Sequence, residues 1–261
     1  MSEAVPANTT AMLEARDISL SFGGVRAIAK LSFDIYPGEV LALIGPNGAG
    51  KTSVLNVVTR VFEPSSGSIR FEGRELTQSR RHEVAALGIA RTFQNIELFE
   101  AATVMDNLLL GRHRFGHGTW WQQLLRTPGV TALEEASRAA VEDVIEFLDL
   151  SPWRNSLVAG LPYGIRKVVE LGRALATSPK LLFLDEPASG LNPEETRKLA
   201  FWIDDIRTDL GITVVMVEHD MSLVSAVADR VICMAQGELL ATGSAREVQN
   251  NSLVVSAYLG A

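Results

Sequence analysis

The sequence predicts an α/β protein with a parallel core sheet, an antiparallel β subdomain and a helical subdomain. Three observations lead there. The apolar run VLALIG (40–45) passes through a glycine-rich loop into a helical segment, a strand–loop–helix order. From residue 164 onward helical and strand patterns alternate, and such alternation lays down parallel strands joined by crossover helices. Between about 112 and 160 the pattern is helical and polar, without strand alternation.

Each element has its own local reason. MSEAVPANTTAMLEARD reads as a ragged leader, because it lacks the basic flank and continuous apolar run of a secretory signal. Alternating apolar positions in ISLSF (18–22) and KLSFDI (30–35), with Gly23-Gly24 between them, predict an antiparallel pair. The alternation sets Ile18, Leu20 and Phe22 on one face. VLALIG is apolar enough for a strand buried on both faces. TSVLNVVTRVF then places Val54, Val57, Val58 and Val61 on one helix face. SIRFEG adds a short strand, and Thr103-x-x-Asp106 is a capping box opening the helix VMDNLLLGR. HRFGHGTWWQQLLRTPGV is an irregular insert before a helix over 132–150. Next come helix 164–177, strand 181–185, helix 193–209, strand 213–217, helix 220–227, strand 230–235 and a helical tail over about 244–261. Asn192-Pro193-Glu194-Glu195 supplies an N-cap, a first-turn proline and a capping-box glutamate for the helix that begins there.

Composition narrows the class. With 261 residues, 47% apolar and 21% charged, the chain has the make-up of one large globular domain, with the helical subdomain over about 95–178 inside it. A net charge of −7 argues against nucleic acid as a partner, since phosphate-backbone binding draws on clustered Lys and Arg. The single cysteine, Cys233, forms no internal disulfide, and no Cys/His spacing suggests a zinc site, which fits a reducing cytoplasm. No run of 18 apolar residues is present, so the chain itself is not expected to cross a membrane.

Two motifs carry chemistry. GPNGAGKT, from Gly45 to Thr52, fits the phosphate-loop pattern G-x-x-x-x-G-K-[ST] and lies between a strand and a helix, as that pattern requires. Its glycines let backbone N–H groups and the helix dipole face phosphates, Lys51 reaches the β and γ groups, and the Thr52 hydroxyl ligates Mg²⁺. LLFLDE (181–186) is an apolar strand ending in two carboxylates, which places Asp185 near Mg²⁺ and leaves Glu186 to polarise water. Alone, such an acidic strand end is an ordinary solvated turn. Together with the phosphate loop it predicts a nucleoside triphosphatase.

GPNGAGKT, RTFQN, LPYGIRK, LLFLDEP, SGLN and VEHDM occur in this order, and with them nearly the whole chain resembles an ATP-binding cassette (ABC) subunit. The resemblance implies an ATPase whose two copies, or two related subunits, form a head-to-tail sandwich with each ATP between one phosphate loop and the other subunit's signature. It assigns ATP contact to Phe22, which would stack on adenine, and to Gly45, Pro46, Asn47, Gly48, Ala49, Gly50, Lys51, Thr52 and Ser53. Glu186 would be the general base, His219 would contact the γ-phosphate, and Gln94 would touch Mg²⁺ and water. Thr52, Gln94 and Asp185 would hold the Mg²⁺, Asp185 directly or through water. Leu161, Pro162, Tyr163, Gly164 and Ile165 would be the signature facing the partner's ATP. In that stretch proline and tyrosine stand where serine and glycine are ordinary, yet Tyr163-Gly164 leads into a helix with Val168, Leu171 and Leu175 on one face. The uncapped amides of such a helix end can bind a phosphate without a serine hydroxyl.

Within the family, RTFQNIELFEAATVMDNLLLGRH, the insert around Trp120-Trp121, LPYGIRK and VVSAYLGA are similar to the larger ATPase subunit of branched-chain amino-acid importers. This implies two transmembrane permease subunits, a solute-binding protein acting through them, and a peripheral place on the cytoplasmic face of the inner membrane. Importers of amides, urea or aromatic acids share much of this wording and stay open as alternatives. A soluble cassette without a membrane partner also stays open, although the chain has neither a coiled-coil insertion nor a second phosphate loop. A phosphate-loop kinase would lack the signature helix and the closing histidine. Bland readings stand beside the family roles: Phe22 as core, Gln94 as a solvated loop amide, His219 as a strand-end histidine. His113 and His117 are four apart, but the glycines around them disfavour the helix a metal pair would need.

Overall fold

The computed structural model describes residues 10–92, 96–115 and 128–259. They divide into two compact units, one of Met1–Arg91 with Lys180–Ala261 and one of Thr92–Pro179.

The first unit holds two sheets. Strands β1 (Leu13–Phe22), β2 (Val25–Ile35), β4 (Ser66–Phe71) and β5 (Arg74–Glu75) form an antiparallel sheet in the order β2-β1-β4-β5. Strands β3 (Val40–Ile44), β6 (Ile89–Arg91), β7 (Leu181–Asp185), β8 (Thr213–Val217), β9 (Arg230–Ala235) and β10 (Glu238–Gly243) form the second sheet, ordered β10-β9-β3-β8-β7-β6. Its pairs are parallel except for the β9–β10 edge. The strands β3, β7 and β8 are buried along their whole length, as strands covered on both faces must be. Helices α1 (Lys51–Val58), α2 (Arg81–Ala86), α6 (Pro193–Thr208), α7 (Met221–Val227), α8 (Ala245–Gln249) and α9 (Ser252–Leu259) complete this unit. Residues of both sheets, among them Leu13, Ile28, Phe71, Leu41 and Phe183, share one apolar core with Val54 and Val58 of α1.

In the second unit lie α3 (Val104–Gly111), α4 (Pro128–Phe147) and α5 (Tyr163–Leu175). Close packing rests on Gly172, where an added Cβ would lie 3.2 Å from Leu148 Cδ1 and 3.3 Å from Leu108 Cδ2. The Thr103–Asp106 capping box forms, with Thr103 Oγ1 accepting from the Asp106 amide at 3.1 Å and Asp106 Oδ2 accepting from the Thr103 amide at 3.3 Å. Fully buried Asn107 ties down the preceding loop, accepting from Phe99 N–H and donating to Phe99 and Thr103 carbonyls. No helix among the described residues is long and apolar enough to cross a membrane.

Several expectations shift at their edges. The leader gives up Leu13–Asp17 to β1. The strand changes register between Ala15 and Ile18, where Asp17 has φ 49°, so its buried side switches from Leu13 and Ala15 to Ile18 and Leu20. A bulge of this kind breaks the alternation on which strand recognition depends. Register shifts again between Leu20 and Ser21, and Phe22 leaves the buried face. Helix α1 stops at Val58, just before Arg60 at φ 57°, so Val61 is not part of it. Helix α4 ends at Phe147, and Asp149, at φ 56°, lies beyond its end rather than within it. On α5, Val168 is half-buried and its neighbour Val169 is fully buried.

Candidate functional site

The loop between β3 and α1 is shaped from both sides. Gly45, Gly48 and Gly50 all have positive φ, at 150°, 79° and 96°. At two of them space is also lacking: a Cβ on Gly45 would lie 2.1 Å from the Met234 carbonyl oxygen, and one on Gly50 2.3 Å from that of Ala27. The turn before β10 presses on the same place. Gly237 N–H donates to the Ala49 carbonyl at 3.0 Å, and its own carbonyl accepts from Ala29 N–H of β2 at 2.8 Å. Pro46 and Asn47 form the outer bend, and buried Ala49 donates back to the Pro46 carbonyl at 3.2 Å. Helix α1 follows with Gly50 as N-cap and no side-chain cap, so its first turn presents backbone N–H groups and a positive partial charge.

Lys51 is buried and turns back over this loop, its Nζ donating to the Gly45 carbonyl at 2.7 Å and the Pro46 carbonyl at 3.0 Å. Burial holds its pKa below the ordinary lysine value, while Glu186, Cys233 and Asp185 pull it back up. Thr52 is exposed and Ser53 half-buried on the first turn of α1.

At the end of β7, Asp185 is buried and accepts from Arg91 Nη2 at 2.7 Å, while Arg91 Nη1 donates to Asn56 Oδ1 of α1 at 2.6 Å. Glu186 has φ 48°, and its N–H donates to the Val217 carbonyl of β8 at 2.9 Å. Just past the end of β8 come Glu218, fully buried, and His219, whose side chain is 62% exposed. The loop, the two carboxylates and the histidine thus converge from the ends of the parallel strands β3, β7 and β8, the position where open α/β sheets bind ligands. Phe22 is 46% exposed and meets Phe62 edge-on, ring centroids 5.1 Å apart.

Residues 28–189 match the family described as ABC transporter. The chain belongs to the ABC transporter family. As a cassette it is 36% identical over 249 residues to the high-affinity branched-chain amino acid transport ATP-binding protein BraF of Pseudomonas aeruginosa, covering 95% of this chain and 98% of that one. Identity and coverage are the same for the corresponding protein LivG of Escherichia coli. Among solved structures, it is similar to a nucleotide-free ATP-binding cassette from an ABC transporter, with a TM-score of 0.84 and 30% identity over 97% of this chain and all of that one. An ADP-bound conformation of such a cassette gives a TM-score of 0.85 at the same identity.

In the second unit of the cassette, the LPYGIRK stretch opens α5. Pro162 is the N-cap, with φ −54° and ψ 150°, and no side chain caps the helix. Leu161 and Gly164 are buried, Ile165 is half-buried, and Pro162 and Tyr163 are exposed. Lys167 Nζ lies 5.9 Å from the centre of the Tyr163 ring, and Arg166 pairs with Glu100 at 2.6 Å. Gln94, His117, Trp120 and Trp121 lie outside the described residues.

Sequence reasoning missed Arg91 and Glu218. Arg91 sits on β6, whose three residues are too few to show alternation. Glu218 reads in sequence as one more acid before a histidine, and only its burial distinguishes it.

The donor set fits a nucleotide-bound Mg²⁺. Among the described residues no group of three or more His, Cys, Asp or Glu is arranged to hold a metal. Mg²⁺ asks for less, one or two protein oxygens completed by phosphates and water, and Thr52 and Asp185 provide hard oxygen donors beside the loop.

Proposed function

We propose that the chain is the ATP-binding and ATP-hydrolysing subunit of an importer for branched-chain or related amino acids. What carries this reading is the meeting of Lys51, Asp185, Glu186 and His219 at the ends of three neighbouring parallel strands, in a chain 36% identical to two such transport proteins along 95% of its length.

The phosphates of ATP lie against the amides of the 45–53 loop, and Lys51 exchanges its two carbonyl partners for β- and γ-phosphate oxygens. Phe22, free of the core, offers its ring face to adenine. Thr52, Asp185 and Gln94 would hold a Mg²⁺, which would supply positive charge against the phosphates. The Glu186 carboxylate takes a proton from the water that attacks the γ-phosphorus, and the bond to the β–γ bridging oxygen breaks. His219 donates a hydrogen bond to the γ-phosphate. The signature, Leu161 to Ile165, meets the ATP of a second ATPase subunit, so a complete site needs two cassettes. Two permease subunits, engaged from the cytoplasmic face, convert closure into transport of a solute delivered by a binding protein.

The experiment is Glu186→Gln, purified from native membranes in MgATP. The variant should bind ATP, lose nearly all turnover and stay with its permease chains in a closed assembly. A wild-type hydrolysis rate would remove Glu186 as the base, and recovery as a lone chain would remove the transport assignment.

A further inference from the structure

We propose that Glu218 is a positioning residue for ATP hydrolysis, holding the turn that carries Glu186 and the backbone that aims His219 in one fixed arrangement. The proposal rests on the roles given above to those two residues.

Glu218 directly follows β8 and its side chain has no exposure. One oxygen reaches the neighbouring strand's loop, Oε1 accepting from Ala188 N–H at 2.7 Å. The other stays on its own side, Oε2 accepting from His219 N–H at 3.0 Å and Asp220 N–H at 3.2 Å. A buried carboxylate is costly unless donors meet its charge, and an apolar side chain of similar volume fills such a space more favourably. Three amides from two loops are therefore organised by a group that packing alone would not select.

What those amides belong to gives the carboxylate its meaning. Ala188 is two residues past Glu186, in a turn closed by Ser189 N–H donating to the Glu186 carbonyl at 3.1 Å. Glu186 has φ 48°, a left-handed conformation that its Cβ disfavours and that surrounding contacts must hold. His219 projects largely into solvent, its Nδ1 3.9 Å from Glu218 Oε2, so backbone placement sets its direction. Glu218 is thus the side chain common to both loops. Fully buried and bonded to three backbone amides, it acts through its neighbours.

Glutamine tests this, because its amide group accepts at one end only. Either Ala188 or the His219–Asp220 pair loses its acceptor. For the full-length protein we expect Glu218→Gln to lower kcat by roughly 10- to 100-fold, the usual consequence of misplacing catalytic groups by about an ångström. Nucleotide Kd should stay within about threefold, since the phosphate loop is not involved. In a cycle with His219→Ala the combined loss should fall at least about tenfold short of the product of the single losses, the mark of residues acting as a unit. Should Glu218→Gln fail to melt cooperatively, Glu218→Asp carries the same test. It keeps the charge, loses the reach to Ala188, and should lose kcat by at least about tenfold with an unchanged Kd. Wild-type kcat in either variant, losses that multiply, or a Kd that rises in step with the loss of kcat would overturn the proposal. Glu186→Gln and His219→Ala alone, run beside them, separate the two readings. If both turn over normally, the site assignment has failed; if both are impaired and Glu218→Gln is not, only the positioning role has.

Discussion

Lys51→Ala should separate nucleotide affinity from fold stability. The ammonium is buried and donates to two carbonyl oxygens at 2.7 and 3.0 Å. Two opposing effects are removed together: those charge-assisted bonds, and the desolvation that is the largest influence on this lysine's pKa. They offset, so stability of the free protein should change by no more than about 1 kcal/mol, or roughly 2–4 °C in Tm for a chain of this size. The bound state is different. Lysine trades carbonyl partners for phosphates of full negative charge, a net gain comparable to one hydrogen bond to a charged group, about 1.5–3 kcal/mol. Alanine should therefore weaken MgATP binding by roughly 10- to 150-fold. Calorimetric titration with MgATP gives the affinity, and a thermal melt without nucleotide gives the stability. Unchanged affinity would refute the phosphate-loop assignment, and a melt lowered by ten degrees or more would refute the offset.

Two further expectations concern pH and the signature. Because burial lowers the pKa of Lys51, the unfolded chain binds more protons than the folded one between that lowered value and the ordinary lysine value. Stability should therefore rise with pH across this alkaline window, the penalty being fully present below it, and urea midpoints of Lys51→Met should lack that share of the rise. Equal slopes for both proteins would contradict the burial effect. At the signature, Pro162→Ser should leave ATP binding intact and change the ATPase rate of the assembled complex by no more than about tenfold, because it adds one hydroxyl to a helix end already rich in amides. Gly164→Asp, which sets a carboxylate against phosphate, should abolish activity while a cooperative melt persists. Full activity in Gly164→Asp would mean that this helix end does not face ATP.

What could be read from sequence follows from how local each feature's cause is. The phosphate loop needs glycine at fixed offsets, and the strand LLFLD needs continuous apolar residues, so both are visible in a few letters. Capping boxes at Thr103 and Asn192 are local in the same way, and both form. The start of β1 was hidden because Asp17 flips the alternation, leaving Leu13 and Ala15 out of phase with Ile18 and Leu20. Periodicity likewise grouped Phe22 with the core, but Phe22 is the last residue of β1 and lies exposed at its end. Arg91 and Glu218 were illegible for another reason. Their partners are far away in sequence, Asp185 across 94 residues and Ala188 across 30, and no local pattern records a long-range bond.

The phosphate loop is moulded by segments that share none of its sequence. Ala27 and Ala29 of β2 and the turn at Gly237, itself at φ 83°, close around Ala49 and Gly50. The eight letters of GPNGAGKT thus specify what the loop permits, while its curvature is cast by a hairpin nearly two hundred residues downstream and a strand upstream. A chain carrying those letters without that mould would have a nucleotide motif and no nucleotide site. Conversely, substitution at Gly237, which lies outside the motif, belongs with substitutions in the loop, because a Cβ there would lie 2.9 Å from the Ala27 carbonyl oxygen and push on the wall that gives Gly50 its place.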